Sequence, residues 1–374
     1  MTDQPTEREA MAKEYDSIHN RLFLIQTLAL VLLLALFQFS GFSAMLADGL
    51  AVRFGPKLWY LTNVVYALVA MFGFSACMFP FSYYGGYVLD QHYGLSNETM
   101  GEWMGDFFKA LLIDMFMAAI LFPVIYALLR WLPEWWWAAA AVFYIVFVVI
   151  VSALAPVFIM PLFHKFEPLE EGELTEAVRK MMSDAGIQVV GVFKWGLEEK
   201  TTTANAAFAG FGRTRRIILG DTLLSGYSQE EILAILAHEV GHYKNRDIPR
   251  LMFTSSALAL LGLYVAHFCL TSLVGLLDLG SIDNIAAAPI FLFSIFIFSL
   301  IAMPFANAHS RRREYAADAY AVKTMGSADA LASALEKLAD QNLSNKEPAP
   351  WIEFLLHSHP SIARRVARVR CLTE

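Results

Sequence analysis

Two histidines and a glutamate stand in the order H-E-x-x-H at His238, Glu239 and His242, inside the stretch SQEEILAILAHEVGHYKNRD that runs from Ser228 to Asp247. On a helix, positions four apart lie one above the other on the same face. His238 and His242 therefore offer two imidazole nitrogens to one Zn²⁺, and Glu239, about 100° further round, points at the metal's open coordination position. Such a site activates water. The helix is expected independently of the motif: Ser228 followed by Glu231 reads as a capping box, and Ile232, Ile235, Leu236 and Val240 form a helical apolar stripe.

The third ligand has to come from elsewhere in the chain, and the downstream candidates are His267, Asp278, Asp283, His309, Glu314, Asp318, His357 and His359. Glu314 stands out, because it sits in the Ala-rich helical run RRREYAADA from Arg311, with Asp318 over the same face. An Asp so placed can accept the second N–H of a ligand histidine and fix its tautomer. In isolation Glu314 and Asp318 would read as solvated partners of the neighbouring arginines; beside H-E-x-x-H the ligand reading is preferred. His267, inside an apolar run, reads as a hydrogen-bonded histidine facing a helix bundle.

What must position these groups is a membrane protein. The 374 residues are 57% hydrophobic and 14% aromatic, with a mean hydropathy of +0.48, above soluble usage. A net charge of −7 gives no basic field for nucleic acid, and three cysteines form neither a disulfide framework nor a metal knuckle. The last four residues, CLTE, have the outline of a C-a-a-X lipidation signal, but a terminal Glu is not a usual last residue, and we take the match as coincidence.

Mixed charges from Asp3 to Asp16 match neither a signal peptide nor a transit peptide, and Leu22 to Phe39 reads as a first, uncleaved span. A second span is expected from about Leu58 to Pro80, then an acidic loop over Phe81 to Asp106 broken at Gly85, Gly86 and Gly94 and holding at most one short helix. A third span covers Phe107 to Leu129, and a fourth Trp135 to Leu162, with Trp131, Trp135, Trp136 and Trp137 as an interfacial belt. Asp114 inside the third span either reaches the headgroups or lines a water-filled cavity. From Phe163 the composition becomes that of a soluble domain. A helix is expected over Leu174 to Ala185, and strands over Val189 to Trp195, Thr201 to Phe208 and Arg215 to Leu219, with Gly210 and Gly212 turning between the last two. The small residues around Asn205 suit either an edge strand that pairs with an extended peptide or a strand packed under a helix. Two more spans, Leu251 to Leu277 and about Ala286 to Ala308, form a hairpin around the uncharged-to-acidic loop Asp278 to Asn284. Lys244, Arg246, Arg250 and Arg311 to Arg313 flank its other ends, so the positive-inside rule puts the active site on the cytoplasmic side.

The expected division is thus a polar N-terminal segment (1–20), spans one to four with an acidic loop at 81–106 (21–162), a catalytic domain with a small sheet and the zinc helix (163–250), a membrane hairpin (251–308), and a third-ligand helix with a C-terminal catalytic segment (309–374).

From about Tyr87 onward the chain resembles the integral-membrane zinc CAAX prenyl proteases of the first type, gluzincins that trim prenylated proteins. The resemblance is carried by VLDQHYGLSNETMGEW, APVFIMPLFHKFEPLEEGEL, NAAFAGFGRTRRIILGDTLL, AHEVGH, SRRREYAADAYA and HSHPSIARRVARV. It implies one Zn²⁺ per chain held by His238, His242 and Glu314, with Glu239 as general base. It also implies Asn205 and its neighbour Ala206 in a substrate-binding strand, and His359 near the scissile carbonyl. The implied fold is mainly α, a ring of membrane helices around a chamber joined to a gluzincin α+β domain. About six spans are countable here where the family usually has seven, and residues 1 to 80 match only loosely. The partners expected are a peptide or protein substrate, prenylated in that family, and membrane lipid. A quality-control zinc protease of the same clan, or a non-catalytic membrane scaffold, are the competing functions.

Overall fold

The computed structural model describes residues 7–210 and 214–372; Gly212, the N-terminal charges before Glu7 and the last two residues of the CLTE terminus lie outside the described residues. Among the described residues, six helices are long and apolar enough to cross a membrane, the number read from the sequence. The first, α1 (Glu7–Phe39), begins about four turns before its apolar run, so its first part is a polar helix that projects beyond the bilayer. After a left-handed turn at Gly41 comes α2 (Phe42–Phe54), which the sequence reading missed. At about 1.5 Å per residue its 13 residues cover about 20 Å, too short to span. It is fixed instead by Ser43, whose hydroxyl donates to the Ala286 carbonyl at 2.7 Å and lies 2.6 Å from the Tyr66 hydroxyl.

The expected acidic loop is mostly helical. Helix α3 (Trp59–Tyr83) passes through a wide π turn at Tyr84–Val88 into α4 (Leu89–His92), so Gly85 and Gly86 do not break it. The wide turn packs on α5 (Met100–Trp131): Tyr83 and Tyr87 meet the Trp103 ring, and a Cβ at Gly86 would touch its indole nitrogen at 3.5 Å. Helix α5 starts seven residues before the expected Phe107, because Thr99 and Glu102 cap each other's backbone in a box that the sequence contained and composition hid. Asp114 is exposed on its surface. In α6 (Trp136–Leu154), Trp136 is fully buried and donates to Nδ1 of His267 at 2.9 Å, while Trp131 and Trp135 are exposed. The predicted aromatic belt therefore loses Trp136 to the bundle core, and His267 is the hydrogen-bonded bundle histidine expected.

The extramembrane part opens with β1 (Phe166–Pro168), missed because three residues carry no periodicity, and α7 (Glu173–Asp184). The strands β2 (Val192–Trp195) and β3 (Ala206–Ala209) are shorter than expected, β4 (Arg216–Gly220) has the expected length shifted by one residue, and Thr201 to Asn205 is not strand. Instead, Thr201 and Thr202 bond the carbonyls of Leu95 and Gly94 in the α4–α5 loop, which diverts the backbone from the sheet. Sheet order is β1-β2-β4-β3, with β3 antiparallel to β4 and Ala206 opposite Leu219. So β3 is an edge strand, and through Phe208 and Tyr243 it also packs on the helix that carries the histidines. The two readings of its small residues describe its edge and its face.

Helices α8 (Asp221–Gly226) and α9 (Gln229–Lys244) follow, then α10 (Asp247–Leu276) and α11 (Ala288–Met325). The expected boundary at 308/309 falls inside α11, where composition changes but the backbone does not. Helices α12 (Asp329–Gln341), α13 (Pro350–Leu356) and α14 (Ile362–Arg370) complete the fold. The ends alternate consistently. Arg8 on α1 donates to the Asp340 and Gln341 carbonyls beside α12, and the α4–α5 loop bonds the segment before β3, so both lie on the side of the extramembrane domain. Ser43 of α2 and the loop before α11 meet at the other.

Candidate metal centre and cleft

Helix α9 is fixed at its start by the expected capping box: Ser228 Oγ accepts from the Glu231 amide, and Glu231 Oε2 accepts from the Ser228 amide at 2.8 Å. The same carboxylate accepts from Lys337 at 2.8 Å and Ser333 at 2.6 Å, both on α12. Burial opposes its charge, yet these bonds outweigh it and hold Glu231 down to about 2. Further along, α9 crosses α11 with Gly241 against Ala317; a Cβ at Gly241 would lie 2.9 Å from the Ala317 Cα. That close approach brings the two histidines to Glu314.

His238 Nε2 and His242 Nε2 face each other at 3.1 Å, and Glu314 Oε2 and Oε1 lie 3.5 and 3.3 Å from them respectively. One ligand atom from each residue fits within 4.8 Å of the others, and Glu314 is 4% exposed. Behind His238, Nδ1 lies 2.9 Å from Asp318 Oδ1; behind His242, Nδ1 lies 3.0 Å from Asp247 Oδ2. Buried carboxylates at both Nδ1 atoms take the ring hydrogens and leave both Nε2 lone pairs pointing inward. Two lone pairs and a carboxylate oxygen, Glu314 Oε2, that is buried without a directed hydrogen bond repel one another unless a cation lies between them. The residues fit a metal ion, and their N/N/O donor set suits zinc. Burial works against a charged His238, but hydrogen bonds to Asp318 and Glu314 prevail and push it up to about 9, so a metal ion taking the Nε2 lone pair would have to displace a proton there.

Glu239 lines the same cavity, of about 650 Å³, as Asn205 and Ala206 at the edge strand. His359, from the turn between α13 and α14, is exposed to it and has Nδ1 3.0 Å from Glu314 Oε2. Tyr15, Asp16 and His19 of α1 form part of the facing wall. Thus Asn205, Ala206, Glu239, Glu314 and His359, dispersed over more than a hundred residues, meet in one cleft, with Asp318 behind them. The other ligand candidates do not join the three: His267 goes to the bundle core, Asp278 and Asp283 to the loop at the far end, His309 lies on α11 five residues before Glu314, and His357 lines the same cleft but stands 3.9 Å from Asp16.

Two residues at the centre were not singled out from sequence. Arg365, 7% exposed, donates Nε and Nη2 to both oxygens of Asp318 at 2.9 and 2.7 Å and has Nη1 3.4 Å from Glu314. Its only sequence signal was membership in the basic segment SIARRVARV, where its neighbours Arg364 and Arg368 look the same. Asp247 was visible as the end of the motif stretch, five residues past His242, but nothing in spacing alone turned it towards the ring.

Residues 168–373 match the model of peptidase family M48, and residues 5–165 match that of the CAAX prenyl protease N-terminal region, described by five membrane helices. In that second stretch the described residues hold four long helices and the short α2. CAAX prenyl protease 1 of Saccharomyces cerevisiae is 30% identical over 360 residues, covering 85% of this chain and 79% of its own. An uncharacterized metalloprotease of Bacillus subtilis, YhfN, is 28% identical over 367 residues, covering 96% of this chain and 84% of its own. The crystal structure of S. mikatae Ste24p superposes with a TM-score of 0.86 at 23% identity, over 98% of this chain and 90% of that one.

Proposed function

The chain belongs to peptidase family M48 and is a multi-pass membrane metalloendopeptidase, and on that premise we propose that it is a zinc enzyme of the CAAX prenyl protease type, cleaving prenylated or membrane-associated peptides. The observation that carries the reading is the convergence of His238, His242 and Glu314 beside a cleft that His238 and Glu314 line and that also displays an edge strand. One Zn²⁺ per chain, held by these three residues, would supply Lewis acidity, polarising water and the scissile carbonyl.

The chain's own groups do the rest. An extended substrate adds to the outer edge of β3, with Asn205 and Ala206 contacting its backbone, a mode that tolerates many side chains. Glu239 takes the proton of the attacking water and delivers it to the leaving amine, so one carboxylate serves as base and then acid. His359 donates towards the oxygen that gains negative charge, where a fixed donor counts most in the transition state. Asp318 holds His238, and Arg365 holds Asp318. Two of the six long helices, α1 and α11, line the cleft, which would let a lipidated chain approach from the bilayer. The basic residues Lys244, Arg246, Arg250 and Arg311 to Arg313 at the cleft end support a cytoplasmic active site.

Purified protein in lipid should cleave a prenylated peptide in a chelator-sensitive reaction, and cleave the same peptide without its prenyl group much less well. Equal cleavage of the pair would refute the specificity, and chelator-insensitive cleavage the mechanism.

A further inference from the structure

The two ligand imidazoles are each backed by a carboxylate, yet these come from different parts of the fold. Asp318 lies one turn beyond Glu314 on the ligand-bearing helix α11. Asp247 is the first residue of α10, a membrane helix that supplies no ligand. It is 1% exposed, its Oδ2 lies 3.0 Å from His242 Nδ1, and its Oδ1 is buried without a hydrogen-bond partner. The nearest cations to Oδ1, Arg313 Nη1 and Arg250 Nη1, stand off at 3.7 and 3.9 Å. Burying a carboxylate with half its acceptors unused is costly, so an apolar residue would start this helix better if packing were its only task. The approach to it is strained as well: Arg246 adopts φ 54, ψ 43, a left-handed conformation that a non-glycine residue rarely takes. That single turn reverses the chain after α9 and swings Asp247 back beneath His242.

We propose that Asp247 is the positioning residue for His242, accepting its Nδ1 hydrogen and aiming its Nε2 lone pair at the metal, so that the seating of membrane helix α10 sets the geometry of the centre. This rests on the reading of His238, His242 and Glu314 as metal ligands. Asp318 does the same for His238 but is tied to Arg365 and α14. The centre is thus braced from two directions, by a membrane helix on the His242 side and by the C-terminal segment on the His238 side.

The test uses the full chain in detergent or nanodiscs, comparing wild type with Asp247→Asn and Asp247→Ala. The readouts are Zn²⁺ affinity by chelator competition, the visible absorption of the Co²⁺-loaded protein, and melting of the metal-free protein. Losing such a partner typically weakens metal affinity about 10–100-fold, so Asp247→Ala should fall near the upper figure. Asp247→Asn keeps an acceptor but no charge and should fall near the lower. Both should shift the Co²⁺ bands while metal-free melting changes little, since the carboxylate adds little to packing. Wild-type Zn²⁺ affinity with unshifted bands in Asp247→Ala overturns the proposal. Should that variant not fold, the same result in the isosteric Asp247→Asn overturns it. A wild-type protein that binds no stoichiometric zinc would instead refute the ligand reading beneath it.

Discussion

Gly241→Ala, one methyl group inside the H-E-x-x-H stretch, should detach metal binding from folding. The added Cβ would meet the Ala317 Cα at 2.9 Å, the Ala317 carbonyl oxygen at 3.0 Å and the Tyr320 Cβ at 3.2 Å. Ordinary carbon contacts are about 3.5–4.0 Å, and backbone cannot rotate away, so α11 must retreat by about 0.6–1 Å. Ala317 stands between Glu314 and Asp318, which retreat with it. Overpacking costs about 1–3 kcal/mol, but alanine is about 1 kcal/mol better than glycine within a helix. The net destabilisation is therefore about 0–2 kcal/mol, and metal-free melting should fall by only a few degrees. Metal–ligand distances tolerate only about 0.2 Å, so the same displacement should weaken zinc binding at least about 10-fold. Chelator competition and thermal melting on one preparation decide it. Undiminished zinc affinity would show that the α9–α11 approach does not set the ligand spacing.

Four further outcomes are expected. Glu239→Gln should keep its zinc and lose turnover by orders of magnitude, checked by metal analysis and peptide cleavage, because the base is gone and the ligands are intact. Asn205→Ala and His359→Ala should each lower kcat about 10²–10³-fold with KM, zinc content and melting little changed; a destabilised variant with normal turnover per folded molecule would make that residue structural. A cysteine at Ser281 should react with an impermeant reagent from outside intact cells and one at Ser344 only after permeabilisation, since both positions are exposed at opposite ends of the bundle. Glu231 has a folded pKa depressed to about 2, so its contribution to stability is present above about pH 4.3, its ordinary value, and disappears as pH falls towards 2. Glu231→Gln should therefore lower melting at neutral pH and lose less between pH 4.5 and 3 than wild type does; equal pH dependence of the two would refute it.

Features encoded within one or two turns were legible from sequence: the capping box at Ser228, the i, i+4 pairing of His238 with His242 and of Glu314 with Asp318, and six apolar runs. The misreadings have one physical origin, a local signal overridden by a contact elsewhere. Gly85 and Gly86 read as breakers because isolated glycine weakens a helix, but Trp103 and its aromatic neighbours hold that turn helical. Thr201 to Asn205 reads as strand, and the Leu95 and Gly94 carbonyls claim its threonines instead. The change from apolar to charged residues near Asn307 marks where the environment changes, whereas the backbone of α11 runs on. Arg365 and Asp247 carry no local signal, because their significance lies in the ring or carboxylate they face. For Asn205 and His359, only the resemblance brought them to one cleft before the fold did.

The cleft is walled by Tyr15, Asp16 and His19 on one side and by His359 and Arg365 on another, and Arg8 reaches carbonyls 332 residues away. At about 5–20 residues per second, a ribosome completes the second wall roughly 20–70 s after the first. Glu314 is made only near the end of that interval, so for about the last 3–10 s the nascent chain holds His238, His242 and Glu314 while Asp318 has no Arg365 to hold it and the cleft has no far side. The ligand set is thus complete before the cleft that would hold a substrate against it, and roughly the last fifty residues of the chain close the site.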